Sequence, residues 1–140
     1  MADIKKFQLD IISPERVFYT GDVEMVELTT TEGDIGIYAG HIPLTTVVAP
    51  GVLTITESSG EDGLKYAAVL EGFMEVLPDK VTILAQSCEW PEEIDMNRAL
   101  EAKKRAERRI SGGDGSVNMV RAELALRKSL VRIGLAEGRK

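Results

Sequence analysis

Apolar and polar residues alternate in short runs over the first ninety residues of the chain. Residues 7–12 read Phe-Gln-Leu-Asp-Ile-Ile, and a similar alternation returns in 23–31 and 52–56. A period of two predicts strands with one face in a core, because successive side chains of a strand point to opposite faces. Turn residues interrupt the runs at intervals of roughly 8–12 residues, a spacing typical of an antiparallel sandwich or barrel. The pattern predicts about nine short strands.

Glycine, proline and aspartate mark the predicted turns. Thr20-Gly21-Asp22 is predicted to end a short strand at 17–19, and Glu32-Gly33-Asp34 to form a hairpin turn. Residues 39–43 are predicted to be a loop. Pro78-Asp79-Lys80 predicts a turn between the last two strands, since proline presets the first corner.

After residue 94 the apolar residues no longer recur with a period of two, and two charged helices are predicted. Asp95 is a good N-cap for a helix that runs through about Ile110, with a narrow apolar stripe. That stripe consists of Met96, Ala99, Leu100, Ala106 and Ile110. Residues 111–115 end the helix. Because the loop is short, the second helix is predicted to pack antiparallel to the first.

The second helix is capped by Ser116 or Asn118 and runs to about Ala136. Five apolar residues lie near one of its faces, with Leu126, Leu130 and Ile133 beside them: Val117, Val120, Leu124, Val131 and Leu135. We therefore predict an α+β protein, with a β-sandwich in 1–88, a connector in 89–94 and an antiparallel two-helix hairpin in 95–140. The thin stripe of the first helix would contribute only a few kcal/mol on burial, at roughly 25 cal/mol per Å². With so weak a contact, the hairpin could adopt two positions that differ little in free energy.

Charge divides the chain at the same place. The net charge is −6. Residues 1–94 hold 5 Lys and Arg against 17 Asp and Glu, a net −12, whereas residues 95–140 hold 12 against 6, a net +6. The basic segment is expected either to lie on the acidic one or to bind an acidic partner.

The chain offers few residues for catalysis. It has one histidine, His41, and one cysteine, Cys88, so a His/Cys metal site and an internal disulfide are not expected. It contains no Gly-x-Ser-x-Gly motif and no phosphate-binding P-loop. It also has no 18-residue apolar run and no apolar segment of a secretory signal near Met1. We expect a protein that is not an enzyme by itself.

Two rows of cations appear on the predicted helices. Arg98 and Arg105 return to one face of the first helix, and Arg121, Lys128 and Arg132 to one face of the second. Two such rows facing each other would repel unless an anion such as phosphate lay between them. Alternatively, both rows lie on solvent-exposed faces of the helices and do not form a phosphate site. A nucleic-acid-binding hairpin is a further alternative, which the acidic first part of the chain and the scarcity of aromatic residues disfavour.

Six ordered segments make the chain similar to a known family. They are 32–37 (Glu-Gly-Asp-Ile-Gly-Ile), 40–44 (Gly-His-Ile-Pro-Leu), 71–76 (Glu-Gly-Phe-Met-Glu-Val), 80–85 (Lys-Val-Thr-Ile-Leu-Ala), 94–99 (Ile-Asp-Met-Asn-Arg-Ala) and 121–126 (Arg-Ala-Glu-Leu-Ala-Leu). In these segments the sequence resembles the epsilon subunit of bacterial F-type ATP synthases over nearly its whole length. The resemblance implies a ten-stranded β-sandwich followed by a helical hairpin.

The resemblance also implies a function and partners. It implies a non-catalytic rotor subunit of the central stalk, which couples the catalytic head to the ring of c subunits during ion-driven ATP synthesis. It implies a place at the cytoplasmic face of the bacterial cell membrane, as a peripheral component of the complex. The sandwich would contact the gamma subunit and the c-ring through residues near a common foot: Thr31, Glu32, Gly33, Asp34, Gly36, Gly40 and His41.

The hairpin of this family has two positions, and the resemblance extends both to this chain. Folded down it permits ATP hydrolysis. Extended, it inhibits hydrolysis by bringing a basic second helix, here Arg121, Arg127, Lys128 and Arg132, toward an acidic segment of the beta subunit. No cofactor is required, but ATP is implied as a regulatory ligand that holds the down position. The residues implied for ATP are Glu89, Ile94, Asp95, Arg98, Ala99, Arg105, Lys128 and Arg132. Lys128 stands where arginine is expected, and an ammonium cannot form the planar contact of a guanidinium.

Overall fold

The computed structural model describes residues 4–112, 115 and 118–138. Within these residues the chain forms ten strands followed by two α-helices, as predicted. The strands are β1 (Phe7–Ile12), β2 (Val17–Val23), β3 (Met25–Thr30), β4 (Gly33–Tyr38), β5 (Leu44–Val48), β6 (Gly51–Thr56), β7 (Leu64–Val69), β8 (Gly72–Val76), β9 (Lys80–Ala85) and β10 (Cys88–Glu89). The helices are α1 (Met96–Ser111) and α2 (Met119–Ala136). Two compact units, Met1–Glu89 and Trp90–Lys140, divide inside the predicted connector.

The strands of the first unit form a sandwich of two layers. One layer has the order β10-β7-β6-β3-β4 and the other β5-β8-β9-β1-β2. Strand β3 joins them, because its first residues pair with β6 while its last residue, Thr30, pairs with Val48 of β5. The core between the layers consists of inward side chains from both, including Leu9, Leu53 and Ile83, each with no exposed surface. The alternation in the sequence therefore predicted the inward face correctly.

Strand pairing differs from the prediction in three details. The strand that begins at Val17 continues to Val23, so the prediction that Thr20-Gly21-Asp22 ends it was wrong. These three residues pair with Asp10, Leu9 and Gln8 of β1, and that pairing outweighs their local preference for a turn. The hairpin turn before β4 lies at Thr31–Glu32, one residue earlier than predicted. Finally, β1 and β9 pair in parallel, whereas the other pairs are antiparallel.

The tenth strand was not evident from the alternation. Strand β10 has two residues, and Cys88 and Glu89 pair with Val69 and Ala68 of β7. A strand this short shows no period. The segment was therefore assigned to a strand end and a connector.

Both helices begin at the predicted caps. The Asp95 carboxylate accepts a hydrogen bond from the Arg98 backbone N–H at 3.1 Å, and Asn118 Oδ1 accepts one from the Arg121 N–H at 3.2 Å. Each bond satisfies one of the backbone donors that a helix start leaves without an intrahelical partner. Helix α1 ends at Ser111, and the Gly112 N–H donates to the Arg108 carbonyl at 2.9 Å. The alternative cap Ser116, the stripe residue Val117 and two of the predicted loop residues, Gly113 and Asp114, lie outside the described residues.

Small side chains predominate among the buried residues of the two helices, beside Ile133 and Leu135 of α2. Ala99 and Ala106 of α1 are buried, as are Ala122 and Ser129 of α2, and each pair is seven residues apart. A spacing of seven keeps residues on one side of a helix. We call these four residues the helix seam. Since α1 and α2 pack together and are joined by a short segment, the pair is an antiparallel hairpin.

Two residues of the predicted apolar stripes do not lie in the interior. Leu100 is 38% exposed and Val120 is 76% exposed. The predicted stripe of α1 included the seam residues Ala99 and Ala106, whereas the predicted face of α2 included neither Ala122 nor Ser129. Small side chains let two helix backbones come close, so the larger neighbours are displaced to the sides. In the described part of the chain, neither helix is long and apolar enough to cross a membrane.

Candidate functional site

The start of α1 is ordered by the residues immediately before it. A single 3₁₀ turn, Pro91–Glu93, precedes the helix, where the sequence predicted only a connector. The Trp90 N–H donates to Glu93 Oε1 at 2.9 Å, and the Glu93 N–H donates to the Trp90 carbonyl at 3.0 Å. The Ile94 N–H donates to the Pro91 carbonyl at 3.3 Å. We call residues Trp90–Ile94 the connector turn. It holds Ile94 and Asp95 in a fixed position at the first turn of α1.

Asp95 acts on Arg98 through the backbone. Its carboxylate accepts from the Arg98 N–H, and its carbonyl accepts from the Ala99 N–H at 3.0 Å. Asp95 is therefore a helix cap, which leaves the exposed guanidinium of Arg98 to bind another group. Ala99 is in the seam and buried, so little of its side chain is open to a ligand.

The cation rows lie beside the seam. Arg98 and Arg105 each precede a seam residue of α1, and Arg121 and Lys128 each precede one of α2. Arg132 likewise precedes the buried Ile133. One residue is about 100° of rotation, so each row points to the side of its helix. Because the helices are antiparallel, the two rows point to the same broad side of the hairpin.

The cations differ in exposure along this side. Arg98, Arg105 and Arg121 are exposed, as is Arg127 on another part of α2, whereas Lys128 and Arg132 are half-buried and have interaction partners. An array of five cations on one side can bind an anion with several phosphate oxygens. Glu89, the remaining residue implied for ATP, is half-buried in β10 and belongs to the sandwich unit.

The turn between β3 and β4 is braced by its own side chains. Thr30 Oγ1 donates to the Gly33 carbonyl at 2.7 Å and accepts from the Glu32 N–H at 3.1 Å. Thr29 Oγ1 donates to Asp34 Oδ1 at 2.9 Å. Gly33 has φ 116°, a conformation that glycine adopts without strain. The turn thus presents Thr31 and Glu32 as a rigid exposed tip, and the exposed Gly36 follows it on β4.

His41 lies at the other end of β4 and β5 from this tip. Its Nδ1 is 2.7 Å from the Ile42 carbonyl oxygen, and the Gly40 N–H donates to the Pro78 carbonyl at 2.7 Å. The six residues of β4 span about 17–20 Å between the two sites. The structure therefore places Gly40 and His41 at the opposite end of β4 from Thr31–Gly33, and the interface role of these residues stays a prediction. The resemblance had grouped residues that are close in sequence but lie at opposite ends of a strand.

An exposed apolar row crosses the outer face of the second layer, and the sequence interpretation missed it. Five residues on adjacent strands are register partners, in the order Val47, Phe73, Leu84, Ile12 and Val17. Phe73 is 59% exposed, and all but the half-buried Ile12 belong to the exposed apolar residues. We call these five residues the apolar row. Such a contiguous patch is typical of an interaction site.

A sequence signal for the apolar row exists. Every member stands next to a second apolar residue, which points into the core: Val47-Val48, Phe73-Met74, Ile83-Leu84, Ile11-Ile12 and Val17-Phe18. Two consecutive apolar residues in a strand place one of them outside. Gly72 supports the row, because a Cβ at that position would collide with the Leu84 carbonyl. The close approach of β8 to β9 therefore requires glycine there.

The apolar row meets the rigid tip at one corner. The Thr31 N–H donates to the Val47 carbonyl at 3.1 Å, so the turn between β3 and β4 adjoins one end of the row. The corner combines an apolar strip with the acidic side chains of Glu32 and Asp34. Among the described residues, no group of three or more His, Cys, Asp or Glu side chains could hold a metal ion.

The chain thus combines a ten-stranded sandwich that carries an exposed apolar row with a basic helical hairpin. Residues 6–91 match the family described as "ATP synthase, Delta/Epsilon chain, beta-sandwich domain", and residues 92–137 match "ATP synthase, Delta/Epsilon chain, long alpha-helix domain". The chain therefore belongs to the delta/epsilon family of ATP synthase chains. Chains of this type are non-catalytic subunits of the stalk.

Relatives named "ATP synthase epsilon chain" match over nearly their whole length. The chain is 45% identical to that of Caldanaerobacter subterraneus subsp. tengcongensis, with 94% of each chain covered. It is 42% identical to that of Bacillus velezensis, covering 95% of this chain and 98% of the relative. A chain of the Euglena gracilis mitochondrial ATP synthase has the same fold, with a TM-score of 0.78 at 24% identity, covering 97% of this chain and 84% of the other.

Proposed function

We propose that this chain couples the catalytic head of a bacterial F-type ATP synthase to its c-ring, at the cytoplasmic face of the cell membrane. The observation that carries the proposal is the corner where the apolar row meets the rigid tip. A stalk subunit must transmit torque between partners, which requires a stiff body with more than one docking surface. The sandwich offers both surfaces on one braced framework.

The two surfaces are suited to different partners. The apolar row would bind the gamma subunit, because burial of Phe73 and its neighbours supplies affinity without a change in the sandwich. The tip with Thr31, Glu32 and Asp34 would contact the polar loops of the c-ring. Gly40 and His41, at the opposite end, are separate from this contact.

The hairpin would inhibit ATP hydrolysis. Arg121 and Arg127 on α2 are exposed and can reach an acidic segment of the beta subunit, and the half-buried Lys128 and Arg132 lie on the same helix. The resulting charge complementarity favours the acidic partner.

Reconstitution tests inhibition. Purified chain added to a head lacking its epsilon subunit should lower the ATPase rate, and the double variant Arg121→Glu, Arg127→Glu should not. The double variant Lys5→Glu, Lys6→Glu, at two exposed residues of the sandwich unit, changes the net charge by the same amount and should inhibit like the parent. If the variant Arg121→Glu, Arg127→Glu still lowered the ATPase rate, the proposed inhibition by the basic hairpin would be contradicted.

We also propose that the hairpin binds ATP. The support for this proposal is that both cation rows lie on one side of the hairpin. If ATP binds the native chain, it raises the free energy of unfolding by about 2.7 kcal/mol at 100 times its dissociation constant. A thermal melt with and without ATP measures this. Arg98→Ala should remove most of the shift, whereas Lys104→Ala, on another side of α1, should not. The absence of a shift at millimolar ATP would exclude ATP sensing and leave the stalk function intact. Membership of the family disfavours the alternative of a nucleic-acid-binding module.

A further inference from the structure

Strand β3 joins the two layers of the sandwich at one edge, where it pairs with β6 of the first layer and β5 of the second. The opposite edge of the second layer is β2, which pairs with β1. Within the described ranges, no strand ladder connects β2 to the first layer. The chain crosses from β2 to β3 through one residue, Glu24, whose N–H donates to the Thr56 carbonyl at 2.8 Å. Backbone pairing therefore holds this second edge only weakly.

Three side chains bridge the layers at the second edge. The Tyr19 hydroxyl of β2 donates to Glu57 Oε2 at 2.5 Å, and Glu57 directly follows β6. Lys65 Nζ on β7 lies 3.4 Å from Glu57 Oε1 and 5.9 Å from the centre of the Tyr19 ring. We call these three residues the interlayer clasp. Each of them interacts with the other two.

The backbone around the interlayer clasp is arranged to hold it. A Cβ at Gly21 would come within 2.9 Å of the Tyr19 hydroxyl oxygen, so glycine gives this side chain room to lie along β2. The Glu57 N–H donates to the Gly63 carbonyl at 2.7 Å, which fixes the acceptor at the base of the β6–β7 hairpin. The bond from Tyr19 holds the pKa of the Glu57 carboxyl below its ordinary value, so the acceptor is ionised at pH 7. A partly buried hydrogen bond to a charged group is stronger than an exposed ion pair.

The apolar row ends on the strand that the interlayer clasp holds. Its last member, Val17, is on β2, two residues before Tyr19. Its first member, Val47, adjoins the tip, because its carbonyl accepts from the Thr31 N–H at 3.1 Å. The row is thus tied to the first layer at both ends. If the clasp opened, the second layer could turn about its join with β3 and carry the Val17 end of the row away.

We propose that the interlayer clasp fixes the orientation of the apolar row relative to the tip, so that both surfaces can dock at once. This inference rests on the proposed function, in which the row binds the gamma subunit and the tip contacts the c-ring. Two surfaces on one rigid body bind two joined partners more tightly than either partner alone, because the second contact forms with little further loss of freedom. A sandwich whose layers shift loses that gain and keeps the affinity of each single surface.

Binding of the full chain to two targets tests the interlayer clasp. One target is the purified gamma subunit, and the other is gamma already bound to the c-ring. The parent should bind the joined target roughly a hundredfold more tightly than gamma alone. Tyr19→Phe should bind gamma alone like the parent and lose roughly tenfold of the gain on the joined target. Glu57→Ala, which removes the shared acceptor, should repeat this result, whereas Tyr38→Phe, at an exposed residue of β4, should match the parent on both targets.

Spin-label distances measure whether the layers shift. In a Cys88→Ala background, labels at the exposed Glu61 and Glu75 span the two layers, whereas labels at the exposed Glu15 and Glu75 both lie in the second layer. Tyr19→Phe should broaden the Glu61–Glu75 distribution and leave the Glu15–Glu75 distribution as narrow as in the parent. A contribution of Tyr19 to stability alone would leave both distributions unchanged in the folded chain.

Two results would overturn the inference and leave the proposed function intact. One is an equal gain of the parent and Tyr19→Phe on the joined target. The other is a Glu61–Glu75 distribution that stays narrow in Tyr19→Phe. If the parent itself bound the joined target no more tightly than gamma alone, docking through two surfaces would be wrong, and the inference would fail with it.

Discussion

At the scale of single residues, one hydrogen bond ties an edge strand of the sandwich to a distant loop. The Tyr19 hydroxyl of β2 donates to Glu57 Oε2 at 2.5 Å, and Lys65 Nζ lies 3.4 Å from Glu57 Oε1. Burial raises the pKa of Tyr19 above its ordinary value of 10.0, and the bond to Glu57 raises it further. The same bond lowers the pKa of Glu57. No local pattern predicts this pair, because its members are 38 residues apart.

Tyr19→Phe should lower the free energy of unfolding at pH 7 by roughly 1.5–3 kcal/mol, the range for a hydrogen bond to a charged group. Tyr19 stays protonated when folded but ionises near pH 10 when unfolded, so the parent loses stability as the pH rises above 10. The variant has no Tyr19 hydroxyl to ionise and lacks this loss. The difference in the free energy of unfolding between the parent and the variant should therefore shrink above pH 10. Denaturant unfolding at pH 7 and above pH 10 measures it. If the difference in the free energy of unfolding grew with pH, the protonated state assigned to folded Tyr19 would be contradicted.

Asp95 could be identified as a helix cap from the sequence, because capping involves only residues that are close together in the chain. Asp95→Ala should cost about 1 kcal/mol, since it leaves a donor of the first turn of α1 without its partner. Asp95→Asn retains the acceptor oxygen and should cost much less. Urea unfolding followed by circular dichroism compares the two. Equal losses would show that the carboxylate has a role other than capping.

At the scale of elements, the helices were predicted within a residue or two, and their buried residues were predicted in part. The predicted stripe of α1 included Ala99 and Ala106 of the seam, but the predicted face of α2 included neither Ala122 nor Ser129. Periodicity also assigned the large residues Leu100 and Val120 to the interior, where they do not lie. The strands show the same limit: β10 is too short for a period, and the parallel pairing of β1 with β9 joins segments far apart in sequence.

Ala106→Leu tests the seam. The larger side chain should force the helices apart and destabilise the hairpin by roughly 1–3 kcal/mol. Lys104→Leu is the matched control, because Lys104 is exposed on the same helix, and it should change the free energy of unfolding by less than about 0.5 kcal/mol. Thermal unfolding followed at 222 nm measures both. If Ala106→Leu were as stable as the control, the helices would not pack along the seam.

At the scale of the whole molecule, the sequence predicted two units and the change of charge between them. It did not predict the apolar row, although each member has an apolar neighbour, because register decides which outward residues become adjacent. Register also separates His41 from the tip at Thr31–Gly33. Local pattern therefore predicted the architecture, and long-range pairing determined the docking surface.

The central claim is that the apolar row docks the sandwich onto the stalk, and binding to a purified gamma subunit tests it most directly. Phe73→Ser should weaken binding roughly thirtyfold, the loss of about 2 kcal/mol expected for a central aromatic contact. Glu75→Ser, two residues along the same face of β8, should bind like the parent. Unchanged affinity for Phe73→Ser, with the fold intact by circular dichroism, would contradict the claim.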